Sequence, residues 1–333
     1  MKFLRFNVVH FFVDKDYHVG ARLHSACILL LALLVSSCFT THEKPFRLGI
    51  NSWPGYAPLY IAKRNSLFHR DNIDVIELPS TTETIHALAM GNLEAAALTL
   101  DEVLTVIDLG IDVQIVMILD TSNGADALVA KPYIKTIEDF KGKSLAVERS
   151  AVGGFMLDRA LTSVNLSINE INVINCSYDQ HMTCFEHADG IVTFEPIVTR
   201  LVSSGAVVLF DSGHIPNSVI DVLAVKREVI EESPETIHAL VEGYYRAREF
   251  MQAQPDLTRQ YLSKFMRTEI QYVDTTLEKI HLPSLSEVQA LMSGSPSSLT
   301  QTARRLEAIM KSNDLLLNYQ EPEQLITNEF ITQ

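Results

Sequence analysis

A chain of 333 residues that is 47% hydrophobic and 20% charged can bury a large core, which excludes a disordered or fibrous protein and suits two lobes. Its 41 acidic residues outnumber 27 basic ones, for a formal net charge of −14. A surface of that sign repels phosphate backbones and anionic headgroups, so nucleic-acid binding and a polybasic membrane patch are excluded.

In chain order, the first feature is the apolar run Ala26 to Val35, the length of an export-signal core and too short to span a bilayer. Val35-Ser36-Ser37-Cys38 follows at once and resembles the bacterial lipobox, with Cys38 as the lipidated first residue of the mature chain. Residues 1–37 are therefore expected to be a lipoprotein signal peptide and 38–45 a tether. Residues 1–25 make a long leader before the run, whereas a start at Val19 would leave only the short, positive Val19 to His24. Of four cysteines, Cys27 falls in the signal and Cys38 takes the lipid. That leaves Cys176 and Cys184, free to pair in an oxidising compartment. The histidines of the same segment, His181 and His187, do not share one narrow helical stripe with Cys184, so no metal site is expected.

Beyond the tether, short apolar runs alternate with amphipathic ones. Strands are expected at Arg47 to Asn51, Ile73 to Leu78, Ala95 to Leu100, Asp112 to Leu119 and Ala127 to Ala130, with helices at Pro58 to Phe68, Thr82 to Gly91 and Glu102 to Leu109. After the charged segment Lys131 to Lys143, strands at Ser144 to Val147, Ile171 to Asn175, Gly190 to Phe194 and Val207 to Phe210 alternate with helices at Gly154 to Ser163, Asp179 to His187 and Pro196 to Ser203. Strand Val219 to Val225 returns to the first lobe, and helix Pro234 to Ala253 carries Ile237, Leu240, Val241, Tyr244 and Tyr245 on one face; the rest reads as helical. This winding predicts an α/β protein with two lobes, each a mostly parallel sheet flanked by helices: 46–128 with 219–333, and 129–218.

In open parallel sheets ligands sit beyond the carboxyl ends of the strands, facing helix N-termini. The turns to watch are thus Ser52 to Pro58, Pro79 to Glu83, Asp101-Glu102, Glu148 to Gly154 and Glu195-Pro196. Trp53 and Tyr56 offer aromatic faces, Ser80, Thr81 and Ser150 offer hydroxyls, and Gly153 allows close backbone approach. Phe155 and Phe194 read as core.

The run Gly55-Tyr56-Ala57-Pro58-Leu59-Tyr60-Ile61-Ala62-Lys63 with Leu67-Phe68, then Asp120 to Asp126, Ile137 to Lys143 with Val147-Glu148, and Ala188 to Pro196, resembles in matching order the nitrate/sulfonate/taurine-type substrate-binding proteins of ABC transporters. The resemblance covers about residues 46 to 250. It implies the two-lobed type-II periplasmic binding-protein fold, closing on a small solute and presenting it to an ABC permease. It also implies ligand contacts from the turns holding Trp53, Asn123 and Asp126, Ser150 to Gly154, and Glu195. The segment Cys176 to His187 departs from the family pattern.

Asp101, Asp120, Asp126, Glu148 and Glu195 fall at or just after strand ends, and Arg149 is the only strong cation in those turns. An acidic cleft favours a nitrogenous, cationic organic solute lying on Trp53 or Tyr56 over nitrate or a sulfonate. The expected protein is an exported, lipid-anchored, monomeric solute-binding protein without cofactor. A solute sensor signalling to a membrane receptor is the alternative. A pyrimidine-precursor biosynthetic enzyme of the same fold is disfavoured: His-Glu-x-x-His and Gly-x-Ser-x-Gly are absent, and Gly142-Lys143-Ser144 has Ile137 where a phosphate loop needs glycine.

Overall fold

The computed structural model describes residues 45–70, 72–319 and 324–332. The signal run, the lipobox with Cys38 and the tether up to Lys44 lie outside the described residues. The strands in chain order are β1 (Phe46–Ile50), β2 (Ile73–Glu77), β3 (Ala95–Thr99), β4 (Val113–Ser122), β5 (Asp126–Ala130), β6 (Ser144–Val147), β7 (Asn172–Asn175), β8 (Gly190–Phe194), β9 (Val207–Asp211), β10 (Ile220–Lys226) and β11 (Ile280–His281). They form two sheets, ordered β11-β4-β10-β3-β1-β2 and β7-β6-β8-β5-β9.

Within each sheet the strands wound by strand-helix units run parallel: β1 with β2 and β3, and β6 with β7 and β8. The strands by which the chain enters a sheet from the other one run against them. Thus β10 lies antiparallel between β3 and β4, and β5 antiparallel between β8 and β9. Because Asp126–Ala130 is one ladder paired on both sides, it belongs whole to the second sheet. A boundary after residue 128 would cut it, and the first crossing falls instead between Ser122 and Asp126. The second crossing lies between Asp211 and Ile220. The two crossings are tied together: Ser122 Oγ and Ser212 Oγ are 2.7 Å apart, and Gly124 N donates to Ser212 Oγ at 2.7 Å. Gly124 holds a φ of +94°, which only glycine adopts at little cost.

Burial follows position in the sheet. Central β3 and β5 are buried throughout, as expected of strands covered on both faces, while edge β2 turns Asp74 and Glu77 outward. Helix Pro234–Ala253 packs Ile237, Leu240, Val241 and Tyr244 into the first core, with Tyr245 only half-buried. Tyr244 OH donates to Leu119 O at 2.6 Å, and a Cβ at Gly243 would come within 2.4 Å of Phe68 Cδ1, so the helix needs glycine there to lie this close. The expected elements otherwise appear, most with ends shifted by a few residues; β11, two residues long, was not foreseen.

Candidate functional site

The turn after β1 is built around one amide. Asn51 Oδ1 accepts from Trp53 N at 2.8 Å, and its Nδ2 donates to Thr81 Oγ1 at 2.9 Å, so the turns after β1 and β2 are locked to each other. Pro54–Tyr56 then forms a single 3₁₀ turn leading into helix Ala57–Arg64. This places two aromatic heads on two carboxylates. Trp53 Nε1 donates to Asp120 at 3.1 and 3.2 Å, and Tyr56 OH donates to Asp221 Oδ1 at 2.5 Å. Gly55 permits it, since a Cβ there would sit 2.0 Å from Asp120 Oδ2 and 2.4 Å from Trp53 Nε1.

The second lobe closes over these groups. Val152 N, at the start of helix Val152–Ser163, donates to Glu102 Oε1 at 2.9 Å, while Glu102 Oε2 caps its own helix by accepting from Thr99 N at 2.8 Å. Glu148, at the end of β6, accepts from Thr82 N at 3.0 Å and from the Thr82 hydroxyl, and Thr82 Oγ1 lies 2.7 Å from Ser150 Oγ. Phe194 meets Trp53 edge-on at 5.4 Å and stacks on Tyr178 at 4.1 Å. Between the lobes remains an inner cavity of about 10 Å³, room for about one water, lined by Asn51, Trp53, Tyr56, Thr81, Thr99, Glu102, Asp126, Val152, Phe194 and Asp221.

Its electrostatics are one-sided. Asp101, Glu102, Asp120, Asp126 and Asp221 are all buried, and among the described residues no Lys, Arg or His lines the cavity. Burial pushes Asp101 up to about 6, and burial reinforced by repulsion from neighbouring carboxyl groups pushes Asp126 to about 7 and Glu102 and Asp120 to about 8. Asp221 goes well above the carboxylate range for the same reasons, with Asp120 its main charged neighbour. Among the described residues Asp126 Oδ2 has no hydrogen-bond partner, whereas the Asp120 and Asp221 carboxyl groups meet each other and Asp101 meets the Thr99 hydroxyl. A buried unpaired acceptor of this kind is costly unless a donor or cation satisfies it. Larger hollows lie among the first-lobe helices, such as one of about 210 Å³ beside Arg248 and Arg259, but there the charges are paired: Arg259 with Asp274, and Arg248 with Pro283 O and Leu282 O.

The sequence profile of the NMT1-like family matches residues 40–266. The chain belongs to the NMT1-like family. Among relatives, it is 22% identical over 208 residues to the taurine-binding periplasmic protein of Escherichia coli, a match spanning 60% of this chain and 65% of that one. It spans about half, 49%, of the length of further curated relatives from Brucella. Among solved structures, the alkanesulfonate-binding protein SsuA of Xanthomonas axonopodis bound to MOPS superposes with a TM-score of 0.72 at 15% identity, covering 86% of this chain and 99% of that one. The desulfurization enzyme DSZB superposes with a TM-score of 0.64 at 13% identity, over 87% and 98% of the two chains. The fold is that of the two-lobed periplasmic binding proteins, and it is shared by binders and by at least one enzyme.

Of the residues expected to meet a ligand, this NMT1-like chain brings Trp53, Tyr56, Thr81 and Asp126 together around the inner cavity. Asp101 is buried in the first turn of helix Leu100–Asp108, close enough to act on Asp126 but not lining the space. Ser80 is spent as a helix cap, its Oγ accepting from Glu83 N at 3.2 Å. Ser150 stands exposed at the rim on Thr82. Three candidates stand apart from the cavity. Asn123 is exposed at the crossing, its N–H donating to Lys279 O. Gly153 serves close packing within its own lobe, where a Cβ would meet Glu148 O and Val147 Cγ2 at 2.9 Å. Glu195 is fully buried but satisfied by the Lys279 ammonium, Thr199 N and Thr199 Oγ1.

Asn51, Thr99, Phe194 and Asp221 were not anticipated as contacts, and Glu102 and Val152 fell within the expected turns Asp101-Glu102 and Ser150 to Gly154 without being singled out. Phe194, read as core, is a wall of the cavity. Glu102 was legible as the fourth residue of a Thr-x-x-Glu capping box, and only the fold brings its other oxygen to Val152. Cys176 and Cys184 form a disulfide with Cα atoms 6.6 Å apart. His181, between them, is buried and held by Thr193 Oγ1 at 2.9 Å and Cys176 O at 3.2 Å, and burial pulls its pKa down to about 4; His187 is exposed.

Proposed function

We propose that the protein captures a small nitrogenous, cationic solute between its lobes and delivers it to an ABC permease on the outer side of a bacterial membrane. The observation that carries this reading is the set of buried carboxyl groups around the inner cavity, one of whose lining members, Asp126, keeps an oxygen without a partner among the described residues. A protonated amine or amidine supplies the missing donors and the missing charge, and Trp53 and Phe194 supply faces for its carbon body. A lone sulfonate, as named for one relative, is disfavoured in the inner cavity, because Glu102, Asp126 and Asp221 line it and no Lys, Arg or His does among the described residues. Family membership supports the solute-binding role. The small size of the cavity and the bonds from Thr82 to Glu148 and from Val152 to Glu102 mean that the lobes part to admit solute.

On this reading the capturing unit is a first lobe of residues 46–125 with 219–333 and a second of 126–218, working as a monomer and held to the membrane by lipid on Cys38. Isothermal titration of the chain from residue 39 with alkylamines, amidines and alkanesulfonates tests the solute class. Amines and amidines are expected to bind. Tight sulfonate binding with no amine response would overturn the reading. Mass spectrometry of the N-terminal peptide from membranes tests the anchor, which an unmodified Cys38 would sink.

A further inference from the structure

Two carboxyl groups cross the cleft in opposite directions and by the same construction. Glu102, in the first lobe, uses Oε2 within its own lobe, accepting from Thr99 N at 2.8 Å, and sends Oε1 across to Val152 N at 2.9 Å. Glu148, in the second lobe, uses Oε2 within its own lobe, accepting from Tyr178 N at 3.2 Å, and sends Oε1 across to Thr82 N at 3.0 Å and to the Thr82 hydroxyl. Both side chains are buried.

Each crossing oxygen lands on the start of a helix in the other lobe. Val152 is the first residue of helix Val152–Ser163, and Thr82 is the second of helix Thr81–Ala89. The first N–H groups of a helix have no partner within it, and the helix dipole favours a carboxylate there. The bond that each group makes in its own lobe fixes its side chain, so the crossing oxygen is aimed before the other lobe arrives. Little side-chain freedom is then lost on closing. Thr82 extends the second contact: Ser150 Oγ lies 2.7 Å from Thr82 Oγ1 and can donate to it while the Thr82 hydroxyl donates to Glu148. The two groups differ in one respect. Glu102 lines the inner cavity, whereas Glu148 is not among the described residues that line it.

We propose that Glu102 and Glu148 are reciprocal latches that hold the lobes shut, and that Glu148 is a positioning residue, setting how long a solute is retained without touching it. The proposal rests on capture between the lobes and not on the charge of the solute. Both contacts are made by protein groups alone, so they favour closure before a solute arrives as well as after.

Three substitutions of the chain from residue 39 test it. In Glu148→Gln the amide has a single oxygen, which can accept within its own lobe or across the cleft but not both. Thr82→Val removes the hydroxyl. Val152→Pro deletes the N–H that Glu102 grips, at a first helical position where proline fits, after an Ala151 whose φ of −128° and ψ of −174° suit a following proline. Melting curves confirm that each variant is folded.

Small-angle scattering of the ligand-free protein is expected to give E148Q/V152P a larger radius of gyration than wild type. Stopped-flow release is then measured for whichever of the alkylamines, amidines and alkanesulfonates binds. E148Q and T82V are each expected to speed release about three- to tenfold, as for one hydrogen bond, with association within about twofold of wild type. The double variant E148Q/T82V should release about threefold or more slower than the product of the two effects, because both side chains make one contact. If Glu148 served only Tyr178 in its own lobe, the effects would multiply. Multiplying effects, or an unchanged radius, would overturn the latches and leave the solute reading standing. Silence from all three solute series removes the solute reading, and the scattering comparison then decides the latches by itself.

Discussion

Asp120 on β4 and Asp221 on β10 are direct partners across an antiparallel ladder, and each holds one aromatic of a single turn, Trp53 on the first and Tyr56 on the second. Like charges placed opposite each other on a sheet destabilise it. Burial and each other's proximity raise both groups, so near neutral pH the pair keeps protons instead of carrying two charges, and no Lys, Arg or His lines the cavity beside it among the described residues. The fold thus carries an electrostatic debt at its cleft that a cationic solute would relieve.

Asp221→Asn separates this debt from the fold. The asparagine carbonyl can still accept the Tyr56 hydroxyl, but Asp120 no longer faces a second group able to ionise. The ligand-free protein is expected to melt several degrees higher at pH 8, and amine affinity to fall by about tenfold or more, as for loss of one charge-assisted bond of roughly 1.5–3 kcal/mol. Differential scanning calorimetry with parallel titration reads both. Unchanged amine affinity would remove Asp221 from the site.

The raised carboxyl groups fix the direction of the pH dependence. Asp101, Asp126, Asp120 and Glu102 hold protons in the folded chain up to about 6, 7, 8 and 8, whereas in the unfolded chain they ionise near their ordinary values of 3.8 and 4.5. Over that interval the folded state binds more protons. Their contribution to stability is therefore fully present below about pH 4 and is lost as pH rises through 6 to 8. Urea midpoints of the ligand-free protein should fall from pH 5.5 to pH 8.5. A cationic solute favours the ionised groups, so its affinity should rise over the same range with release of protons. Flat midpoints would contradict the buried acidic cluster.

Trp53 is the only tryptophan in the chain, and it stands in the cleft wall. Its emission therefore reports on the cleft alone. Titration with a binding amine is expected to shift or quench emission saturably, and Trp53→Phe, which keeps a ring but loses the donor to Asp120, should weaken binding severalfold. Solute binding seen by calorimetry with no change in emission would place the solute elsewhere.

How much of this was readable beforehand depended on strand direction. Strands β6 and β8 matched as short apolar runs of buried strands, and helix Pro234–Ala253 matched because its twenty residues show the helical period. The turns after β1 and β2 gave Trp53, Tyr56 and Thr81 because the rule of ligands at carboxyl strand ends holds for parallel strands. It fails for β10. That strand runs antiparallel, so its beginning, not its end, reaches the cleft, and Asp221 sits there. Glu195 misled for a different reason: the turn was right, but Lys279, 84 residues later, neutralises the carboxylate. No local pattern reveals a partner at that distance.

The disulfide connects stability to the site through Tyr178. Cys176 and Cys184 bracket the segment that carries Tyr178, whose ring stacks on Phe194 and whose N–H donates to Glu148 Oε2 at 3.2 Å, the carboxylate that also grips Thr82 across the cleft. Closing a loop with a sequence separation of 8 is worth about 2–3 kcal/mol through the unfolded chain. Cys176→Ser with Cys184→Ser is therefore expected to lower the melting temperature by several degrees. It should also weaken solute binding severalfold, because the freed segment lets the Tyr178–Phe194 stack and the Glu148 contact loosen together. Reductant on the wild-type protein should reproduce both effects and leave the double variant unchanged, as read by melting curves and titration with and without reductant. A double variant that melts and binds like wild type would show that packing alone holds Tyr178, and that the bond is incidental to the cleft.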